Sequence, residues 1–128
     1  MGSFSDYYED KIIDHMLRNQ AFTPPSALYV ALYTVSPSDS GGGTEVSGGS
    51  YARQAVTFTA ASGGATSNSA DVTFPQATAD WGTIVAVGIF DSSSGGNLLA
   101  WGTLTASKTV NNGDQFKILA GDLDITVD

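Results

Sequence analysis

The sequence predicts a mainly β protein, an antiparallel β-sandwich or related barrel, with one N-terminal amphipathic α-helix. Three observations lead there. From residue 27 onward, short runs of apolar residues alternate with polar ones and are bounded by Gly, Ser, Asn or Pro. The chain holds 15 glycines, and Ser and Thr crowd the segments between the apolar runs, which suits many turns. Only the first twenty or so positions repeat their apolar residues at the period of a helix. With 128 residues the natural reading is one domain, residues 1–128, large enough to bury a core without staples.

The helix is expected over residues 3–19. Phe4, Tyr8, Ile12, Ile13, Met16 and Leu17 fall on one stripe. Ser3 or Ser5 supplies a hydroxyl to cap the start. Asp6, Glu9 and Asp10 sit near the positive end of the helix dipole, and His15 and Arg18 near the negative end. Asp14 and Arg18 are spaced to pair on the exposed side. Pro24-Pro25 ends any continuation, since proline lacks the N–H and disfavours helix before it. Two roles are open to this helix: packing on its own sheet, or docking against copies or a larger assembly. Tyr7 beside Tyr8 widens the apolar face, and tyrosine is common at interfaces.

Ala27 to Val35 is apolar or aromatic on both alternating faces, so it reads as a strand covered on both sides. Ser36 to Ser50 follows, a Ser- and Gly-rich connection long enough to be functional or mobile. Arg53 to Ala60 alternates as a strand, and Ala70, Val72 and Phe74 give the next, stopped by Pro75. Ile84 to Phe90 is almost continuously apolar and is placed at the centre of the core; Leu98 to Leu104 returns beside it after a Ser-Gly turn. Asn111-Asn112-Gly113-Asp114 is a strong turn signal. Phe116, Ile118 and Ala120, then Leu123, Ile125 and Val127, form the last strands around a bend at Gly121.

Composition removes several function classes. The formal charge of −8 opposes binding to a phosphate backbone, so nucleic acid is not an expected partner. No cysteine is present, which excludes disulfides and thiolate metal sites. No apolar run is long enough to span a bilayer as a helix, so membrane insertion is not expected. A Ser-His-Asp triad would have to use His15, the only histidine, and no Gly-x-Ser-x-Gly elbow occurs. Asp80 beside Trp81 is the best carboxylate for sugar chemistry, but it reads more simply as a turn residue next to an anchor. Asp114, Asp122, Asp124 and Asp128 lack calcium-loop spacing. No catalytic residue, metal or cofactor is therefore predicted. Trp101, within a strand, reads as core.

One stretch stands apart: Gly43-Thr44-Glu45-Val46, then Gly48-Gly49-Ser50-Tyr51-Ala52-Arg53. Its run of small residues ends abruptly in Tyr51 and Arg53. Arg53, in a chain poor in basic residues, reads equally as an anchor for a carboxylate, within the chain or on a neighbouring subunit, and as a solvated strand residue. With Tyr7-Tyr8-Glu9, Ile13-Asp14-His15, the strand Leu28 to Thr34, Val72-Thr73-Phe74-Pro75, Ala77-Thr78, Trp81-Gly82 and Ser94-Gly95-Gly96-Asn97-Leu98-Leu99, this stretch resembles small structural proteins of tailed bacteriophages usually described as tail-fibre proteins. The likeness covers nearly the whole chain. It implies a non-enzymatic virion component made and assembled in the bacterial cytoplasm, in contact with other phage virion proteins and assembled as a homo-oligomer, a trimer among the candidates. Placement at the tail fibre or tail tip competes with capsid decoration or a head fibre. Candidate assembly contacts are Tyr7, Tyr8, Ile12, Met16, Tyr51 and Arg53. A carbohydrate-binding role would instead use Trp81, with loop tyrosines, to stack on host-surface glycan.

Overall fold

A computed structural model describes residues 3–126. Its elements in chain order are β1 (Ser3–Phe4), α1 (Asp6–Leu17), β2 (Leu28–Val35), β3 (Thr44–Glu45), β4 (Gln54–Val56), β5 (Ala65–Ser67), β6 (Val72–Thr73), β7 (Gly82–Phe90), β8 (Leu98–Val110), β9 (Lys117–Ile118) and β10 (Asp124–Thr126). Every strand pair is antiparallel. The main sheet runs β1-β8-β7-β2-β3, with β4 also paired to β2; β5 with β10 and β6 with β9 form two small sheets. The result is mainly β and sandwich-like, as the alternation predicts.

The long central strands earn their place by composition. Val30 and Leu32 of β2, and Ile84, Val87 and Ile89 of β7, point to one side of the main sheet and join Val72, Phe74, Phe116 and Leu123 from the small sheets and their flanks in the principal core. The other side holds a smaller cluster of Ala31, Tyr33, Ala86 and Phe90. Gly88 allows it: a Cβ there would come within 2.9 Å of Leu98 and 3.0 Å of Tyr33, so only hydrogen leaves room for those side chains. Cover on both faces thus holds for the middle of β2 but not its end, where Val35 is exposed.

Several boundaries differ from the sequence expectation. The helix is shorter than residues 3–19, because Ser3 and Phe4 pair with Trp101 and Ala100 of β8 instead. Ser5 is the cap, its hydroxyl accepting from the Tyr8 N–H at 3.2 Å. That hydroxyl also donates to the Leu98 carbonyl, and the Ser5 N–H donates to Leu99 at 2.8 Å, which ties the helix start to β8. Asn19, with φ of 55°, takes the left-handed turn past the helix end. β8 runs to Val110 rather than Leu104. Between the pairs Ala86–Thr103 and Ile84–Lys108, residues Leu104, Thr105, Ala106 and Ser107 lie opposite Val85 alone, a bulge that hides the alternation. The two-residue β3 and the short β5 lie inside stretches that read as connections. Val127 lies outside the described residues.

Candidate assembly site

The distinctive loop closes a gap in the main sheet. Along one edge of β2, β4 pairs with Leu28 to Val30 and β3 pairs with Tyr33 and Val35, so Leu32 faces neither strand. Its carbonyl accepts the Val46 N–H at 2.9 Å. Its N–H donates to the Tyr51 hydroxyl oxygen at 3.0 Å, so a side chain stands where a strand carbonyl would be. The same hydroxyl donates to Glu45 Oε2 at 2.6 Å. Arg53 then grips both oxygens of that carboxylate, Nε to Oε2 and Nη2 to Oε1, each at 2.9 Å. Its remaining nitrogen, Nη1, donates to the carbonyls of Ser92 at 2.9 Å and Gly95 at 2.8 Å, fastening the β7–β8 turn. The guanidinium lies 3.7 Å from the centre of the Phe90 ring.

This clasp is largely out of water: the Arg53 side chain is 8% exposed and that of Glu45 25%. Burial acts to raise the Glu45 carboxyl, but the hydrogen bonds from Arg53 and Tyr51 and the charge of Arg53 outweigh it and leave it below its ordinary value. Burial, reinforced by the Glu45 carboxylate, pushes the Tyr51 phenol well up. Tyr33 is pushed up to about 12, first by burial and then by Glu45. Arg53 is raised by its bond to Glu45. All four groups keep fixed protonation states near neutrality, which is the behaviour of a structural clamp rather than a proton-transfer site.

Beneath the clasp lies an aromatic cluster. Tyr51 stacks on Phe74, centroids 6.1 Å apart, and meets Trp81 edge-on at 5.5 Å. Phe116 meets Phe74 edge-on at 5.8 Å. The Trp81 Nε1–H donates to the Gly49 carbonyl at 2.8 Å. A Cβ on Gly49 would sit 2.9 Å from that nitrogen, and its φ of +59° favours glycine as well. Trp81 is 5% exposed and meets Tyr51 and Phe74 in edge-on contacts, so the indole proposed for glycan stacking sits among the core aromatics. Asp80 accepts the Asn112 N–H at 2.8 Å, as a turn residue does. The loop ahead of the clasp is anchored too, since Asp39 accepts from Trp101 Nε1 and, through its carbonyl, from the Asp6 N–H, each at 2.8 Å.

The candidate assembly residues therefore fall into two places. Tyr51 and Arg53 meet in the clasp, and the carboxylate that Arg53 holds belongs to its own chain. Tyr7, Tyr8, Ile12 and Met16 lie on α1, which buries no residue among its twelve. Tyr8 packs edge-on against Phe4 at 5.5 Å and Phe22 at 5.9 Å, and Ile12 is half-buried beside it. The outer half of the stripe is uncovered, with Ile13 51%, Met16 70% and Leu17 79% exposed. His15 is exposed, with Nδ1 3.0 Å from the Gln20 carbonyl. Asp6, Glu9 and Asp39 bring carboxylate oxygens within 4.8 Å of one another. The helix N-terminus accounts for the first two, and the Trp101 and Asp6 bonds for the third. Sequence reasoning missed Glu45, the hub of the clasp. Its signal was present as an acid a few positions before the isolated Arg53.

Such an architecture, polar chemistry spent on bracing a β framework and apolar surface left on a helix, defines a structural protein. The chain belongs to the Gp80 family, described as podophage GP4 fiber I protein gp80, which matches residues 3–126. Among curated proteins none matches it. It is thus a podophage fibre-type protein, a structural component of the virus.

Proposed function

We propose that the protein is a non-enzymatic component of the tail fibre or tail tip, held to other virion proteins through the exposed face of α1. The observation that supports this is the uncovered stripe of Ile13, Met16 and Leu17 on a helix fixed at its start by Ser5. A helix that served only its own sheet would turn those residues inward, and apolar groups left together in water mark a contact surface. An amphipathic helix laid into a groove is a common mode of protein recognition. Assembly in the host cytoplasm follows from the virion role. Antibody labelling of particles by electron microscopy tests the placement, and label on the capsid surface would instead assign a decoration or head-fibre role. Co-sedimentation of the added protein with particles that lack it tests the helix. The variant Leu17→Asp should fail to sediment with them while the unmodified chain does; equal sedimentation would remove α1 as the attachment element.

A further inference from the structure

A cavity of about 560 Å3 opens between the start of α1, the loop after β2 and the β7–β8 turn. Tyr7, Tyr33 and Phe90 give it rings, and Asp6, Asp39 and Asn97 give it polar side chains. Tyr33 is only 4% exposed, yet its hydroxyl makes no hydrogen bond among the described residues. No fully buried side-chain polar atom lacks a partner among those residues, so the Tyr33 oxygen keeps a path to solvent, and the cavity is the space that Tyr33 borders. The carboxylates are unpaired as well. Asp6, Glu9 and Asp39 hold oxygens within 4.8 Å of one another, and none of the three forms an ion pair among the described residues.

Charge and hydrogen bonding select what enters. No lysine or arginine borders the cavity, whereas two aspartates do. With a formal −8 on the chain, an anion is repelled and a cation drawn in. The polar groups on offer are acceptors. Asp39 Oδ1 takes the Trp101 N–H at 2.8 Å, but its other oxygen and the Asp6 carboxylate have no donor among the described residues. Asn97 spends its amide nitrogen on Asp91 at 3.0 Å, which leaves its oxygen. A guest must therefore bring donors. An ammonium whose tetrahedral N–H groups reach two carboxylate oxygens at about 2.8 Å sets those oxygens about 4.6 Å apart, a spacing the cluster accommodates. A calcium ion takes about six to eight oxygens, more than three side chains giving one each supply. The neighbouring rings suit an ammonium too, and Lys11 already lies 5.7 Å from the centre of the Tyr7 ring.

We infer that this cavity binds a small organic cation bearing a protonated primary amine, with Asp6 and Asp39 on the ammonium, the Tyr33 hydroxyl as a further acceptor and Tyr7 at the rim. This binding is independent of where the protein sits in the virion. A free aliphatic diamine and an amino sugar share the required chemistry. Titration calorimetry on the full chain separates them, with 1,4-diaminobutane and glucosamine as probes and 1,4-butanediol and N-acetylglucosamine as their uncharged counterparts. The expected result is saturable binding of an amine; the tighter of the two probes identifies the source. Asp6→Asn, an exposed change, should weaken it about tenfold. Tyr33→Phe keeps the ring and should weaken it several-fold through the lost hydroxyl. Circular dichroism verifies that both variants keep their strand content. Should either lose it, Asp39→Asn, which still accepts from Trp101, serves the same comparison. No saturable binding at millimolar concentration, equal binding of the uncharged counterparts, or variants that bind like the unmodified chain would overturn the assignment. Displacement of the amine by calcium chloride at equal concentration would overturn it as well, and make the cluster a metal site. Leu17→Asp should bind the amine unchanged, so failure here and failure of the helix reading give different results.

Discussion

The phenol of Tyr51 satisfies a backbone N–H in the main sheet and a carboxylate at once. Tyr51→Phe keeps the ring and its stacking but strands the Leu32 N–H, and a buried donor left unsatisfied costs about 1–3 kcal/mol. Urea unfolding should show that loss; an unchanged midpoint would mean that water replaces the hydroxyl. Arg53→Ala removes the clamp on Glu45 and on the β7–β8 turn together. Breaking a buried ion pair costs roughly 3–5 kcal/mol, and the partial exposure of Glu45 places this case nearer the lower end. Arg53→Lys should rescue little, since an ammonium cannot hold both carboxylate oxygens. The pH dependence has a definite sign. Glu45 titrates lower in the folded chain than its ordinary value of 4.5. Its stabilisation is therefore complete above that value and is lost as pH falls through the lower folded one. Unfolding measured across a pH series should find Glu45→Gln less stable than the unmodified chain at neutrality, with the difference shrinking in acid. A difference that grows in acid would contradict the assignment.

At the scale of elements, α1 and the glycine loop exchange the properties that their sequences suggest. The amphipathic helix, expected to have a packing option on its own sheet, buries none of its residues. The loop from Ser36 to Ser50, open to a mobile reading, is instead held at Asp39, Val46, Gly49 and Ser50 by specific hydrogen bonds. Stability experiments separate the two. Met16→Ser and Leu17→Asp should each change the unfolding free energy by less than about 0.5 kcal/mol, as exposed substitutions do. Ser5→Ala, by contrast, should cost about 1 kcal/mol through the lost cap, with a further loss from the Leu98 carbonyl that the hydroxyl also serves. Gly49→Ala meets both a positive φ and the Trp81 ring, so it should destabilise by more than about 1 kcal/mol. A neutral Gly49→Ala, read by the same denaturant midpoint, would mean that the loop can shift away from the indole.

For the molecule as a whole, the aromatic cluster under the clasp joins the main sheet to the small sheets. Trp81→Ala should cost about 3–5 kcal/mol, the range for deleting a large buried aromatic side chain. Thermal or urea unfolding checks it, and a small effect would mean that the surrounding rings close over the gap. Much of the framework was legible beforehand. β7 announced itself by an uninterrupted apolar run, β2 by apolar residues on both faces, and the turns by their Gly and Asn pairs. The short strands β1, β3 and β5 were not legible, because two or three residues cannot display a period and their partners are distant in sequence. The continuation of β8 was masked by its bulge, which breaks the alternation that marks a strand.

The sequence by itself determined the class, the one helix, the central strands and the importance of the Gly48-to-Arg53 stretch, because each is written in local periodicity or composition. Only the tertiary structure decided what those side chains do. Whether Arg53 meets a carboxylate of its own chain, whether Trp81 faces water, and whether α1 is covered all depend on contacts between residues far apart along the chain. Such contacts are set by how strands pair and layers pack, and a local pattern of residue types does not encode them.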